Sequence, residues 1–509
     1  MLELSAATRA AHLAAMAERR LDVLVVGGGI TGAGVALDAV ARGLSVGLLE
    51  REDFASGTSG RSSRLIHGGA RYLRYGDLGL VREAIRERDL LVRLAPHFVR
   101  TLAFFIPMKR RAPRAVIRTG LWIADRLAGR RGIHPHRRVD EVEGARLAPG
   151  LPRPSGGLVY YDAKTDDARL TIEVLRQAAA RGALLANHTE VEGLIGQGTI
   201  SGAHAVDRLG GSPLEVRARM VVNATGVWAD RIQAMAPGRP TALRPSKGVH
   251  VVLARERVPI RSALLVPSLA GGDALVFLIP WGNRVWVGTT DTPYQGAIED
   301  PAVDPHDARI LLSSVSRAFR EEFTSGDVLA SWAGVRPLLD TGRGSTRDLS
   351  RRHVVVEDPP GLMTVTGGKL TTYRAMAEQV VDRIASRLEA GGESTTSRIP
   401  LGLTRPVLAE LDRAEATARR AGLPPEGGRR LVERYGDDWE DALALIRDEP
   451  SLGERVAPEL PVLGVEFELA RTREMAMTDD DVLIRRTRLT TMDANAARKV
   501  RVPEPGGSL

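Results

Sequence analysis

The run from Leu21 to Glu50 constrains this chain more than any other stretch. Leu21–Val26 is a short apolar strand, closed by Gly27-Gly28-Gly29-Ile30-Thr31-Gly32 and followed by a helical pattern from Ala33 to Arg42. A second apolar run, Leu44–Leu49, ends in Glu50. A strand that feeds a helix and returns as a strand implies a parallel sheet. The G-x-G-x-x-G spacing then has a physical reading. Gly27 permits the tight turn, Gly29 lets the backbone approach a pyrophosphate, and Gly32 lets helix pack on strand. The anion would sit at the helix N-terminus, where N–H groups and the dipole favour negative charge. Glu50 suits a ribose 2′-OH and argues against a 2′-phosphate. Alone the motif marks any glycine-rich turn; in register with both strands and the acid it marks a dinucleotide site.

FAD and NAD both satisfy that motif, and three later features favour FAD. Thr58-Ser59-Gly60-Arg61-Ser62-Ser63-Arg64-Leu65-Ile66-His67-Gly68-Gly69 is a long polar loop placed to wrap an elongated cofactor. Val221-Val222-Asn223-Ala224-Thr225-Gly226 follows a strand, and Thr366-Gly367-Gly368-Lys369 precedes a helix. A simple NAD dehydrogenase needs neither, although each is also an ordinary strand-to-helix turn.

The rest of the chain fits an α/β enzyme with further domains. Its 509 residues exceed one compact core, so two or three domains are expected. Val81–Leu94 and Ala168–Arg181 read as helices, and Gly248–Ala254, Ala274–Pro280 and Arg284–Thr289 as strands. Thr364–Thr372 is a strand and glycine turn opening the helix Tyr373–Leu388, and from about residue 400 the pattern is helical to Arg498. There is no cysteine, which excludes disulfides, thiolate metal sites and a cysteine nucleophile and fits a reducing, cytoplasmic location. No metal site is expected. The first twenty residues lack the apolar run of a signal peptide, and no run approaches the ~18 apolar residues of a spanning helix.

The formal charge is +8, yet Lys109–Arg138 alone holds ten Lys or Arg against the single Asp125. The remainder is close to neutral, so the basicity belongs to one segment. Within it Val116, Gly120, Ile123 and Leu127 recur at helical spacing beside Ile117, Leu121 and Trp122, flanked by Arg114, Arg118, Arg130 and Arg131. That composition suits an interfacial helix on the inner face of the cell membrane; its bland alternative is a helix packed on the core with solvated arginines. A nucleic-acid groove would spread the charge and interleave aromatics, whereas Trp122 is the one aromatic here, so no nucleic-acid partner is expected.

Taken together these residues resemble the FAD-dependent, quinone-linked glycerol-3-phosphate dehydrogenases of the D-amino-acid-oxidase-like flavoprotein group. The resemblance runs in order through Gly27–Gly34, Ser62–Leu73, Tyr160–Leu170, Lys247–His250, Ile279–Asp291, Gly334–Leu338, Thr346–Asp348, Gly367–Arg374, Leu469–Thr472 and Leu483–Leu489. Arg64 stands where the family often has Lys, and Ala70 where a larger aliphatic is common. The resemblance implies a Rossmann-like FAD-binding domain, a mixed β-rich substrate domain and a C-terminal all-helical cap. The FAD-binding parts would span about 20–80, 165–235 and 335–390, interleaved within 20–395 with substrate-binding parts at about 81–164 and 236–334; the cap would span 400–500.

It also implies oxidation of sn-glycerol 3-phosphate to dihydroxyacetone phosphate, electrons passing to a membrane quinone, with a homodimer compatible. The closest rival is an oxidase of the same substrate using oxygen; a flavoprotein acting on RNA and an inactive scaffold are weaker. The FAD set is Gly27, Gly29, Ile30, Thr31, Gly32, Glu50, Arg51, Thr58, Ser59, Ser63, Arg64, Leu65, His67, Ala224, Gly226, Gly368, Lys369, Leu370 and Thr371. The substrate set is Arg71, Tyr72, His250, Arg336, Arg347 and Lys369; arginine forks match phosphate oxygens, and Tyr72 adds a hydroxyl. His67, His250, Arg336 and Lys369 are the catalytic candidates. Either histidine suits the hydroxyl proton, His67 being preferred and His250 orienting, while Lys369 stabilises negative charge on the reduced flavin.

Overall fold

The computed structural model describes residues 3–69, 77–108, 114–129, 132–152, 156–237, 243–271, 274–339, 353–423 and 425–503. Arg71, Tyr72 and Arg347 lie outside them, as do 109–113 and 130–131 of the basic segment.

Valine- and leucine-rich runs bury both faces of a first sheet. Its parallel core runs in the order Leu362–Gly367, Pro213–Asn223, Leu21–Val26, Val46–Leu49, Leu184–Ala186. His353–Glu357 adds an antiparallel edge, and Thr189–Ile195 with Gly202–Asp207 extends the Pro213–Asn223 strand as a meander. The helix Ile30–Ala41 covers one face between Asp167–Ala179 and Tyr373–Leu388. All-round burial explains its Ala/Val/Gly composition: there is no room for a polar stripe. On the other face Met16 of the helix Ala6–Glu18 joins Leu21, Leu24, Val221 and Leu362 in a second core.

A second, mixed sheet is centred on Ser246–Ala254, which pairs antiparallel with Arg284–Gly288 and Val328–Arg336. It continues through Leu275–Trp281, Ala263–Pro267, Arg100–Pro107 and Gly157–Lys164 to the two-residue strand Leu65–Ile66. That last strand belongs to the polar loop after Glu50, so the loop itself ties the two sheets together. Beyond residue 400 the chain is helical: Val407–Arg420, Pro425–Tyr435, Trp439–Asp448 and Val465–Arg473 enclose a core around Trp439. The fold is therefore an α/β Rossmann-like unit with a mixed β-rich sheet and a C-terminal helical cap.

The helix expected in the basic segment is present as Arg114–Ala128. It turns Leu121 inward against Met108 and Leu158 and leaves Trp122 52% and Ile117 37% exposed. Ile123 and Leu127, expected on the outward apolar face, are half-buried instead. The guanidinium of Arg126 lies over the Trp122 ring, 4.9 Å from its centroid. Among the described residues no helix is long and apolar enough to cross a membrane.

Candidate active site

The carboxyl ends of four parallel strands stand side by side. Ala224 N donates to Val26 O at 2.9 Å, and Gly27 N to Leu49 O at 2.8 Å. Thr366 Oγ1 donates to Gly226 O at 3.4 Å. Gly27, Glu50, Ala224–Gly226 and Gly367–Lys369 thus form one row, at the strand ends where open α/β sheets bind ligands. Gly367 and Gly368 have φ of +79° and +78°, a left-handed pair that side chains resist.

The glycines of the first loop are required for two different reasons. A Cβ on Gly27 would come 2.8 Å from Ala224 O, and one on Gly32 1.9 Å from Gly27 O, so the chain's own backbone demands them. A Cβ on Gly29 would meet only the Ser59 side chain, 3.1 Å away at Oγ. The space beside Gly29 is otherwise open, and Gly29 caps the helix without a side chain. An open cradle at a helix N-terminus fits a pyrophosphate, and the residues present fit a dinucleotide.

The carboxylate of Glu50 braces this cradle: Oε2 accepts Gly28 N at 2.6 Å and Oε1 accepts Glu52 N at 2.9 Å. Burial raises its pKa against those two hydrogen bonds. Ser59 Oγ accepts Ile30 N at 2.9 Å, and Thr58 Oγ1 donates to Val335 O at 2.6 Å, which fastens the long loop to both sheets.

On the second sheet, side chains alternate so that Gly248 and His250 share a face with Trp332, Gly334 and Arg336 of the neighbouring strand. The small residues make room. A Cβ on Gly248 would lie 2.4 Å from Arg336 Nη2, one on Gly288 2.1 Å from the His250 ring, and one on Gly334 2.4 Å from Arg61 O. Arg336 donates to Thr289 Oγ1 at 3.1 Å and lies 3.6 Å from Asp291. His250 stacks on Trp332 at 4.9 Å, and its Nε2 is 2.9 Å from Ser63 Oγ. Burial, with Arg336 and Arg64 nearby, lowers the His250 pKa to about 3, so the ring is neutral. Its buried Nδ1 has no hydrogen-bond partner among the described residues, an orphaned polar atom of the kind that a ligand group can satisfy.

His67 is clamped from the turn just past the Leu362–Gly367 strand, its backbone N–H donating to Thr371 Oγ1 at 3.2 Å. The next residue, Gly68, donates to Asp162 Oδ1 at 2.9 Å, and that carboxylate also accepts Arg88 Nη1 at 2.7 Å and feels the charge of Lys369. Burial raises the Asp162 pKa. Asp162 and Arg88 lie next to the candidate histidine, and the sequence does not reveal either: Asp162 falls within Tyr160–Leu170, but its spacing carries no sign that it reaches Gly68.

Several expected side chains do other work. The Arg64 cation does not face the glycine row. At φ +57° its guanidinium lies over Trp286 and Trp332, 3.9 and 4.6 Å from their centroids, and donates to Thr491 Oγ1 at 2.6 Å. Burial and the Arg488 charge lower its pKa to about 9. Leu65 and Ile30 are core residues, leaving only their backbone for a ligand. Arg51 lies over Trp228 and within 3.7 Å of Glu190. Thr31 and Leu370 are half-buried beside the row.

Known proteins match this chain along nearly its whole length. A family described as FAD dependent oxidoreductase matches residues 22–383, and the C-terminal domain of alpha-glycerophosphate oxidase matches 394–502. Glycerol-3-phosphate dehydrogenase 2 of Mycobacterium tuberculosis is 40% identical over 96% of this chain and 84% of its own length. A mitochondrial glycerol-3-phosphate dehydrogenase of Arabidopsis thaliana is 37% identical over 97% of this chain and 83% of its own. Among solved structures, the glycerol-3-phosphate dehydrogenase of Bacillus halodurans complexed with FAD superposes with a TM-score of 0.80 at 31% identity, covering 97% of this chain and 91% of that one. The chain belongs to the FAD-dependent oxidoreductases and, within them, to the glycerol-3-phosphate dehydrogenase family.

Proposed function

We propose that the protein oxidises sn-glycerol 3-phosphate to dihydroxyacetone phosphate and passes the electrons to a membrane quinone. One observation carries the reading. The loop bearing Ser63 and His67 is hydrogen-bonded both to His250 on the second sheet and to Thr371 at the first, so the Arg336 face is fastened to the dinucleotide row. The names of the relatives supply the substrate. On this reading the first sheet with its helices binds FAD and the second sheet binds substrate.

Gly27, Gly29, Gly32 and Glu50 would hold the ADP half of FAD, and Ser59, Ser63, Gly226 and Gly368 would line its further course. Bound there, FAD supplies an acceptor for the hydride of the substrate carbinol carbon. Arg336 binds the phosphate, joined by Arg71 and Arg347, while Tyr72 donates a hydroxyl. His67 takes the hydroxyl proton, because His250, held neutral near pKa 3, is too weak a base at neutral pH. If His250 Nε2 carries the ring proton and donates to Ser63, Nδ1 accepts from the neighbouring primary hydroxyl of the substrate and orients it, leaving the proton of the reacting hydroxyl to His67. Lys369 brings a fixed cation to the same strand ends.

The membrane surface would be the helix Arg114–Ala128, with Ile117 and Trp122 exposed beside the cations of Arg118 and Arg126. Initial rates test the reading. With sn-glycerol 3-phosphate and a soluble quinone under nitrogen, dihydroxyacetone phosphate should form, and in air without quinone little hydrogen peroxide. Peroxide matching substrate consumption would make the protein an oxidase; no dihydroxyacetone phosphate under either condition would overturn the reading.

A further inference from the structure

The C-terminal helices reach back to the dinucleotide loop. Asp53, three residues after Glu50, is fully buried. Its Oδ1 accepts Asn187 Nδ2 and Arg486 Nη2, each at 2.9 Å. Its Oδ2 accepts Arg486 Nη1 at 2.6 Å and also Arg485 Nε. Both guanidinium groups come from Asp481–Arg486, a π-helical turn in which Thr487 N donates to Val482 O at 2.9 Å. More residues per turn narrow the angle between successive side chains, so two neighbouring arginines converge on one carboxylate. Such turns concentrate at functional sites.

A short path joins Asp53 to the glycine loop. A Cβ on Gly28 would lie 2.7 Å from the Phe54 ring, so the two are in contact. Ala55 N donates to Gly28 O at 3.1 Å, and Gly28 N donates to Glu50 Oε2 at 2.6 Å. His188 closes the bracket, its N–H on Glu52 O at 2.7 Å and its Nε2 2.9 Å from Asp481 Oδ2. The turn from Glu50 to Ala55 is therefore held by the glycine loop on one side and by the C-terminal arginines on the other.

Ligand atoms of Asp53, His188 and Asp481 lie within 4.8 Å of one another, a spacing that a metal ion would accept. Yet Asp53 already carries both arginines, and Asp481 Oδ1 accepts Arg485 Nη2 at 2.6 Å. The cations of this node are guanidinium groups.

We infer that Arg485 and Arg486 are positioning residues for the ADP half of the cofactor. By holding Asp53 they fix the Gly28 peptide and the Glu50 carboxylate, and through them the C-terminal helices set dinucleotide affinity. The inference rests on the reading that Gly27–Gly32 and Glu50 hold the ADP half. A purely structural role would make any buried ion pair of the cap equivalent. Half-buried Arg430 on the fully buried Glu466 forms one, at 2.6 and 2.8 Å within the cap, and serves as the control.

The test uses apo-protein of the wild type, Arg485→Gln, Arg485→Lys and Arg430→Gln, titrated separately with FAD and with ADP, with thermal midpoints in parallel. Arg485→Gln should weaken FAD and ADP alike by about tenfold or more, a factor worth about 1.4 kcal/mol. Arg485→Lys should fall between, because a point charge replaces the fork incompletely, and it carries the comparison if Arg485→Gln does not fold. Arg430→Gln should keep both constants within about twofold although its thermal midpoint drops. Unchanged constants in the folded Arg485 variants, or equal losses in the Arg430 control, overturn the inference. A wild type that binds FAD but no ADP overturns the reading of the loop itself, and the inference with it.

Discussion

Gly29 differs from its neighbours in what requires it. Gly27 and Gly32 would strike their own backbone if a Cβ were added, whereas Gly29 faces open space and the Ser59 hydroxyl. Gly29→Val should therefore fold but lose flavin, read as the ratio of flavin to protein absorbance after purification; full occupancy would remove the loop from the cofactor site. The buried histidines make a second prediction. Burial, with Arg169 and Arg100 nearby, holds His97 near pKa 3, and His250 is near 3 as well. An unfolded imidazole titrates near 6.5. The folded values are the lower ones, so the unfolded chain binds more protons between pH 6.5 and 3. Stability is complete above that window and falls as pH falls through it. Urea unfolding at pH 7, 6 and 5 should show this loss, with a shallower slope in His97→Asn; identical slopes in the two proteins would contradict it. Individual roles were legible where a motif fixed the backbone, as at Gly27 and Gly32. They were not legible at Arg64, where the cation was read but not the two tryptophans, distant in sequence, that hold it.

Elements with a strong period were readable because one physical cause dominates each. The Leu21–Val26 strand and the helix after Gly29 follow from burial on a parallel sheet, and Ser246–Ala254 begins only two residues before the alternating run. The turn Asp481–Arg486 was not readable as π-helical, because the carboxylate that its two arginines share, Asp53, lies more than 400 residues away and leaves no local signature. The helix Arg114–Ala128 falls between: its existence followed from spacing, but its outward face did not, since Leu121 rather than Trp122 docks on the sheet edge. Its function is open to a direct test. Flotation with anionic vesicles at low salt should carry the wild type upward. A variant with Ile117→Ser, Arg118→Glu, Trp122→Ser and Arg126→Glu should stay at the bottom, each lost cation weakening attachment by about 1 kcal/mol. Equal flotation of both, or of neither, would remove this helix from the membrane surface.

At the scale of the whole molecule, the two sheets and the helical cap converge on one loop. Thr58 bonds Val335, Ser62 bonds Asp167 at 2.6 Å, and Arg488 of the cap bonds Gly60 O at 3.1 Å. Both α/β character and the helical end were visible in the sequence as a change of period. The convergence was not, since it is made by hydrogen bonds and ion pairs between segments far apart in sequence, such as Arg488 with Gly60 and Asp167. Those contacts have no local signature. The proposed function places a small phosphorylated alcohol between Arg336 and the dinucleotide row, and the central claim is that sn-glycerol 3-phosphate is that alcohol. Anaerobic titration of the flavin-loaded protein, followed by visible absorbance, tests it most directly. About one equivalent of sn-glycerol 3-phosphate should bleach the flavin, while unphosphorylated glycerol at the same concentration should leave it oxidised. An absorbance untouched by sn-glycerol 3-phosphate, or bleached equally by glycerol, would contradict the account.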